Sequence, residues 1–375
     1  VVGEAGEAVN LYVTADKVGT ASGGGLVTYH ESEALKELGE CEVWDRDYLS
    51  TPSPGWMPLT QAEPWLWDEN ALSHLFMRGT RPELCHIYAG TFTRTIAQAL
   101  KGNVANGDKP SVVTTTCAAH SIEESRREHY TCGIDYDKLY NHLVDPELWK
   151  RYSRGYMEAD VLIVPSTHSE KVVREQGRKG RVEVIPHGVD LPETTKPIPT
   201  NFVVGYLGSC SGPDKGVRYL LEAWGKLNYR DGLLILGGRD STSPYVRSMV
   251  QTYGGNVHLR GWVSDVSDFY NYISVYIQPS VSEGYGIEVL EAMAHARPVI
   301  CSTGAGAHDV VPLGPELSQF KVSPRDVDDL CSAIDYCRKK GREFLYEVGR
   351  INREEAAKYS WHLIRQRYQT LWRSL

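Results

Sequence analysis

Short apolar runs alternate with longer stretches of helical periodicity from one end of the chain to the other. In the first half the runs predict strands at Val9–Val13, Glu42–Trp44, Leu84–Tyr88, Ser111–Thr115, Val161–Val164 and Val182–Ile185. Helices are expected between them over Leu26–Leu38, Leu139–Glu158 and Ser169–Glu175. The second half repeats the scheme, with strands at Phe202–Leu207, Gly232–Leu236, Val257–Leu259, Val275–Gln278 and Val299–Cys301. Its helices are expected at Gly216–Leu227, Pro244–Tyr253, Val266–Tyr272, Ile287–His295 and Asp326–Lys340. Runs such as Val161–Val164 and Leu233–Leu236 contain no polar residue. That pattern belongs to parallel strands covered on both faces. The fold class is α/β, with doubly wound parallel sheets.

The stretch Pro186–Thr200 carries Pro186, Pro192, Pro197 and Pro199, which exclude both a helix and a central strand. It reads as a hinge (residues 187–200) between an N-terminal domain, residues 1–186, and a second domain, residues 201–353. Residues 354–375 form an amphipathic helix beyond the second sheet, and Ser50–Pro82, rich in Trp, Pro and Gly, reads as an irregular insertion. A length of 375 residues suits such a division.

A formal net charge of −8 argues against a nucleic-acid partner. Residues 336–375 nevertheless hold ten Lys/Arg against four Asp/Glu. A solvated helix face is the plain reading there, and peripheral contact with an acidic membrane surface the alternative. No run approaches the ~18 apolar residues of a membrane span. Eight scattered cysteines form no CxxC and no zinc-like spacing with histidine. The opening VVGEAGEAVN lacks the basic and apolar regions of a secretory signal. A cytoplasmic protein without bound metal or cofactor is expected.

The richest chemistry lies in SVSEGYGIEVLEAMAHARPVICS (Ser280–Ser302). Glu283 sits in a turn after a strand, and Glu291 follows eight residues later in a helix. Eight helical residues rise ~12 Å, so the two carboxylates can grip separate hydroxyls of one extended ligand. Between them, the free N–H groups of Gly284, Tyr285, Gly286 and Ile287 suit an anion. Hydroxyls flanking a phosphate describe a sugar nucleotide. Lys215, in a Gly- and Pro-containing loop between a strand and a helix, could neutralise charge on a departing diphosphate.

This stretch resembles the E-x7-E signature of glycosyltransferase family four, and EAMAHARPVI continues the likeness, with Ala296 where that family has Gly. Further resemblance runs through GYLGSCSGPDKGVRYLLEAW (Gly205–Trp224), LRGWVSDVSDFYNYISVYIQPSVSEGYG (Leu259–Gly286), EADVLIVPSTHSEKVV (Glu158–Val173), VIPHGVD (Val184–Asp190) and the terminal AAKYSWHLIRQRYQTLW. The resemblance implies a GT-B architecture: two Rossmann-like domains facing a central cleft, the last helix packing back on the first domain. It also implies retaining, metal-independent transfer of a sugar from a UDP-, GDP- or ADP-sugar to a carbohydrate or other hydroxyl acceptor. On that likeness Glu283 meets the donor sugar, Glu291 the ribose, Lys215 the diphosphate and the Val263 backbone the base. Gly24 and Gly25, in SGGGLVTYHESEALKELG, correspond to the family's phosphate-side loop in the first domain. His120, in TTTCAAHSIEES, corresponds to a histidine beside the reacting sugar carbon, although strict strand alignment would put Cys117 there. His187 reads as structural. Ser209 departs from the pattern, because the family carries a phosphate-binding arginine there; Arg239 and Arg218 are the nearby substitutes.

Asp45–Arg46–Asp47 is a DxD, the metal-binding signature of a different glycosyltransferase fold, and is expected to be coincidental. Two other readings use the same fold: a sugar-nucleotide epimerase, or a nucleotide-sugar-binding protein without turnover.

Overall fold

The computed structural model describes residues 10–14, 18, 23–44, 84–88, 111–116 and 157–375. The first domain is a parallel sheet of six strands in the order β2-β1-β3-β4-β5-β6. These are β1 Asn10–Val13, β2 Cys41–Trp44, β3 Leu84–Tyr88, β4 Ser111–Thr115, β5 Val161–Val164 and β6 Arg181–Val184. Helix α1 (Gly23–Lys36) follows β1, and α2 (Thr167–Glu175) follows β5. The second sheet, also parallel, has the order β9-β8-β7-β10-β11-β12. Its strands are β7 Val203–Leu207, β8 Leu233–Gly237, β9 Val257–Gly261, β10 Val275–Gln278, β11 Val299–Ser302 and β12 Lys321–Val322. Helices α3 (Val217–Leu227), α4 (Pro244–Tyr253), α5 (Val266–Tyr272) and α6 (Ile287–Ala294) alternate with them. Helix α7 (Val327–Ala356) and α8 (Trp361–Trp372) close the chain.

The apolar runs become central strands because both faces are covered. Every residue of β7 and β10 is buried, and α3 adds Leu220, Leu221 and Trp224 with no exposed surface. Each such side chain contributes ~1.5–3 kcal/mol by leaving water. Three expectations need correction. Strand β12 is absent from the sequence reading because two residues carry no periodicity. Helix α7 runs on past Lys340 to Ala356, across a kink at Gly341, whose φ of 79° breaks the helical conformation. Gly24 and Gly25 belong to the first turn of α1 and not to a loop before it. Among the described residues no helix is long and apolar enough to cross a membrane.

Helix α8 returns to the first domain and lies against α1. Its Trp361, Ile364, Tyr368, Leu371 and Trp372 share one core with Tyr12, Val27, Ala34 and Leu35. The His30 ring stacks on Trp361 at 4.0 Å, and Arg365 reaches His30 Nδ1 at 2.8 Å. Under this contact sits a fully buried polar cluster. Tyr12 donates its hydroxyl to Glu31 Oε2 at 2.5 Å, and His86 Nε2 lies 2.8 Å from Thr115 Oγ1 and 3.6 Å from Glu31 Oε2. Burial pushes the Glu31 carboxyl up to about 7, and lowers His86 to about 3.

The proline-rich linker offers many carbonyls, and arginines of the second domain take them. Arg353 donates to Pro192 O at 2.6 Å, Arg297 to Lys196 O at 2.5 Å and Arg342 to Ile198 O at 2.6 Å. Upstream, the Val189 N–H donates to Tyr359 O at 3.0 Å, so both chain crossings between the domains run side by side. Gly188 is required there, since a Cβ would lie 2.5 Å from the Trp361 ring.

Candidate functional site

In the second sheet the strand order reverses between β7 and β10. Loops leaving the carboxyl ends of two such strands diverge and leave a crevice, the usual ligand position in a doubly wound sheet. The loop after β7 makes a single 3-10 turn, Pro213–Lys215, and ends at Gly216 with φ 70°. A Cβ on Gly216 would stand 2.0 Å from Pro279 O, so only glycine lets this loop lie on the end of β10. The Val281 N–H donates to Asp214 O at 2.7 Å and fastens the two loops together. The result brings Lys215 to Glu283, with Nζ donating to Oε2. Burial alone would lower the Lys215 pKa, but Glu283, then Asp214 and Glu288, hold it above the ordinary lysine value.

Glu283 is fixed by its own backbone. Its N–H donates to Gly304 O at 2.9 Å, and its carbonyl accepts from Gly306 N at 3.0 Å. Gly286, at φ 94°, turns the chain into α6, and no side chain caps that helix. Of its first-turn N–H groups, that of Val289 returns to Gly286 O at 3.1 Å, which leaves those of Ile287 and Glu288 without a backbone partner. Glu288 stands in this turn. Burial, then Glu283 and Glu291, push its carboxyl up to about 7, and it accepts a hydrogen bond from its own backbone N–H. Glu291, one turn on, accepts from Tyr270 Oη at 2.8 Å. Burial raises its pKa, and the tyrosine hydrogen bond partly offsets the rise.

Lys215, Glu283, Glu291 and the Gly284–Ile287 backbone thus share one crevice. Val263 is buried, with its side chain against Gly237, while its neighbour Trp262 is 67% exposed. Tyr285 is expected to offer its backbone N–H, and its side chain packs away into the protein. Its ring is buried and edge-on to His187 at 4.9 Å, so its backbone is what it offers the crevice. His187 is likewise buried, which lowers its pKa to about 4. Ser209 turns its carbonyl to the Tyr206 hydroxyl at 2.9 Å. His120, Cys117 and Asp45–Asp47 lie outside the described residues. Glu288 and Tyr270 escaped the sequence reading, although a carboxylate midway between Glu283 and Glu291 was visible as spacing.

The first domain meets the crevice at α2. Ser166 caps α2 by accepting from Ser169 N and donates its own hydroxyl to Gly284 O at 2.8 Å. Ser169 Oγ donates to the same carbonyl at 2.9 Å. Thr167 binds the Asp309 carboxylate through its N–H at 2.7 Å and its hydroxyl at 2.8 Å.

Residues 201–339, which contain Lys215, Glu283, Glu288 and Glu291, match the family model for glycosyl transferases group 1. That stretch is similar to the group 1 glycosyl transferases, and the two sheets together have the GT-B fold. Over 140 residues it is 32% identical to the capsular polysaccharide biosynthesis glycosyltransferase CapM of Staphylococcus aureus, covering 35% of this chain and 37% of CapM. Over 227 residues it is 27% identical to the MMP alpha-(1->4)-mannosyltransferase of Mycolicibacterium hassiacum, covering 58% of this chain and 54% of that one. The chain therefore spans well under two thirds of both relatives. Among solved structures, sucrose-phosphate synthase from Thermosynechococcus elongatus superposes with a TM-score of 0.75 at 20% identity, over 98% of each chain. HepE of Anabaena, solved with UDP and glucose, gives 0.66 at 18% identity over 98% of this chain and 100% of that one. Both likenesses establish the fold, and the stretch matched by the family model holds Lys215, Glu283 and Glu291.

Proposed function

We propose that the chain transfers a sugar from a nucleoside diphosphate sugar to an acceptor hydroxyl, with retention at the sugar carbon. The observation that carries this reading is the meeting of Lys215 and Glu283 beside the uncapped N-terminus of α6. The ammonium and the helix amides supply positive charge where a leaving diphosphate would develop its own. Glu291, oriented by Tyr270, accepts from ribose hydroxyls. Glu283 accepts from a hydroxyl of the donor sugar. HepE, which was solved with UDP and with UDP-glucose, supports this donor class. Among the described residues Glu283 is taken by Lys215 and Glu291 by Tyr270, and the reading favours attack on the leaving-group face. There a donor phosphate oxygen assists removal of the acceptor proton.

The test is a panel of UDP-, GDP- and ADP-sugars offered with a broad set of hydroxyl acceptors, with and without EDTA, followed by product analysis. Transfer with retained configuration, unchanged by EDTA, is expected. Conversion of the donor without an acceptor would replace transfer by epimerisation. Loss of activity in EDTA and its return with Mn²⁺ would overturn metal independence.

Glu288 gives the site a pH dependence. A carboxyl that titrates near 7 is neutral below that value and adds a negative charge above it. A nucleotide sugar has no further phosphate ionisation in this range, so a change in its affinity reports the protein. Binding of UDP-glucose, or of whichever donor the panel selects, is expected to weaken from pH 6 to pH 8. In Glu288→Gln the profile should be flat; an unchanged slope would show that Glu288 does not face the diphosphate.

A further inference from the structure

One peptide of the second domain is held by the first. Gly284 O, in the turn between Glu283 and α6, accepts from Ser166 Oγ at 2.8 Å and from Ser169 Oγ at 2.9 Å. Both serines belong to the start of α2, and both are buried. Two donors fill the two lone pairs of that carbonyl. Its neighbours in the turn are tied within the second domain. Glu283 O accepts from Gly306 N at 3.0 Å, and Tyr285 O accepts from Ala307 N at 2.8 Å. Gly306 leaves the room for this contact, since a Cβ there would stand 2.2 Å from Gly284 O and 2.3 Å from Ser166 Oγ.

The other end of the same peptide is the N–H of Tyr285. The bond is trans, so the N–H points opposite to the carbonyl and away from α2. Among the described residues it forms no hydrogen bond. Gly284 offers this peptide little resistance to rotation, so the two hydroxyls set its plane. They also make it a better donor, because hydrogen bonds in a chain polarise one another.

We propose that Ser166 and Ser169 are positioning residues, which orient the Gly284–Tyr285 peptide from the first domain so that its N–H meets the phosphate side of a bound donor. The assignment rests on the nucleotide-sugar reading given above. It goes beyond that reading in making diphosphate binding, a task of the second domain, depend on two hydroxyls of the first. The coupling is reciprocal. An anion on the Tyr285 N–H makes Gly284 O a stronger acceptor and tightens the contact between the domains.

The experiment titrates UDP, GDP and ADP, and the matching nucleosides, into the wild type, Ser169→Ala, Ser169→Ala combined with Ser166→Gly, and Thr167→Ala. Helix α2 survives these changes, since alanine suits a helix and glycine replaces a capping serine at little cost. Thr167→Ala loosens the same interface by removing the hydroxyl contact to Asp309, yet leaves Gly284 O untouched. Ser169→Ala is expected to weaken the preferred nucleoside diphosphate about threefold and the double variant about tenfold, the scale of one and two neutral hydrogen bonds. Nucleoside affinity should stay as in the wild type throughout, and Thr167→Ala should bind the diphosphate as the wild type does. If the double variant keeps full diphosphate affinity, or loses nucleoside affinity in parallel, the assignment is wrong. Equal weakening by Thr167→Ala and Ser169→Ala would also overturn it, since the serines would then merely pack the interface. If the wild type binds none of the three diphosphates, the transferase reading itself fails and the assignment falls with it.

Discussion

Lys215→Ala is expected to slow sugar transfer by about 10²–10³, the cost of removing one preorganised electrostatic donor from a developing charge. Nucleoside diphosphate binding should weaken as well, because the diphosphate is charged before reaction. The ion pair with Glu283 makes the companion variant behave differently. In the ligand-free protein Glu283 holds the Lys215 ammonium, so an arriving diphosphate competes with that carboxylate. Glu283→Gln removes the competitor. It is expected to tighten the bare nucleoside diphosphate while slowing transfer, since the contact to the donor sugar is weakened. Titration calorimetry with the nucleoside diphosphate and single-turnover transfer with the full donor separate the two effects. Equal loss of diphosphate affinity in both variants would mean that Glu283 binds phosphate-side groups and not the sugar. Unchanged transfer in both would remove the reaction from this crevice.

Glu31→Gln is expected to stabilise the protein increasingly as pH rises. The Glu31 carboxyl moves from 4.5 in the unfolded chain to about 7 in the buried cluster, a difference of about 3 kcal/mol. Because the folded value is raised, the folded state binds the extra proton between those limits, and stability falls with rising pH through that window. Below pH 4.5 both states are protonated and the effect vanishes; above 7 the whole penalty is present. His86 has the opposite sign, since its lowered value costs stability as pH falls from 6.5 towards 3, but it is common to both proteins. Chemical denaturation from pH 4.5 to 8 should therefore show the variant gaining about 3 kcal/mol over wild type. A constant difference across the series would place the Glu31 pKa near its ordinary value.

Much of the architecture was legible because parallel strands buried on both faces leave unbroken apolar runs. Pro244–Tyr253 and Val266–Tyr272 could be read to the residue, since Pro244 follows a capping serine and Asp265 caps the next helix. Strand β12 could not, having too few residues for any period, and neither could the extension past Gly341. In the site, Glu283, Glu291 and Lys215 stood out through local spacing and turn chemistry. The Lys215–Glu283 pair was hidden, because it depends on β7 and β10 being neighbours across 68 residues of sequence. The state of Glu288 was hidden for a related reason: its pKa comes from burial and from Glu283 and Glu291, which only folding assembles. The expectation for Tyr285 concerned its backbone N–H alone, and the packing of its ring on His187 was beyond the reach of the local sequence.

The return of α8 has a consequence for how the chain is made. Trp361, Ile364, Tyr368, Leu371 and Trp372 complete the core around Tyr12 and Val27, yet Trp361 follows Tyr12 by 349 residues of synthesis. Domains generally consolidate in the order of synthesis. Here the domain synthesised first must wait with Tyr12, Leu35 and its Glu31–His86 cluster incompletely covered, while the second sheet can close on its own. A stop codon between Ala356 and Trp361 would thus damage the first domain more than the second, and a chaperone that binds nascent chains would find its longest-lived target in the first sheet.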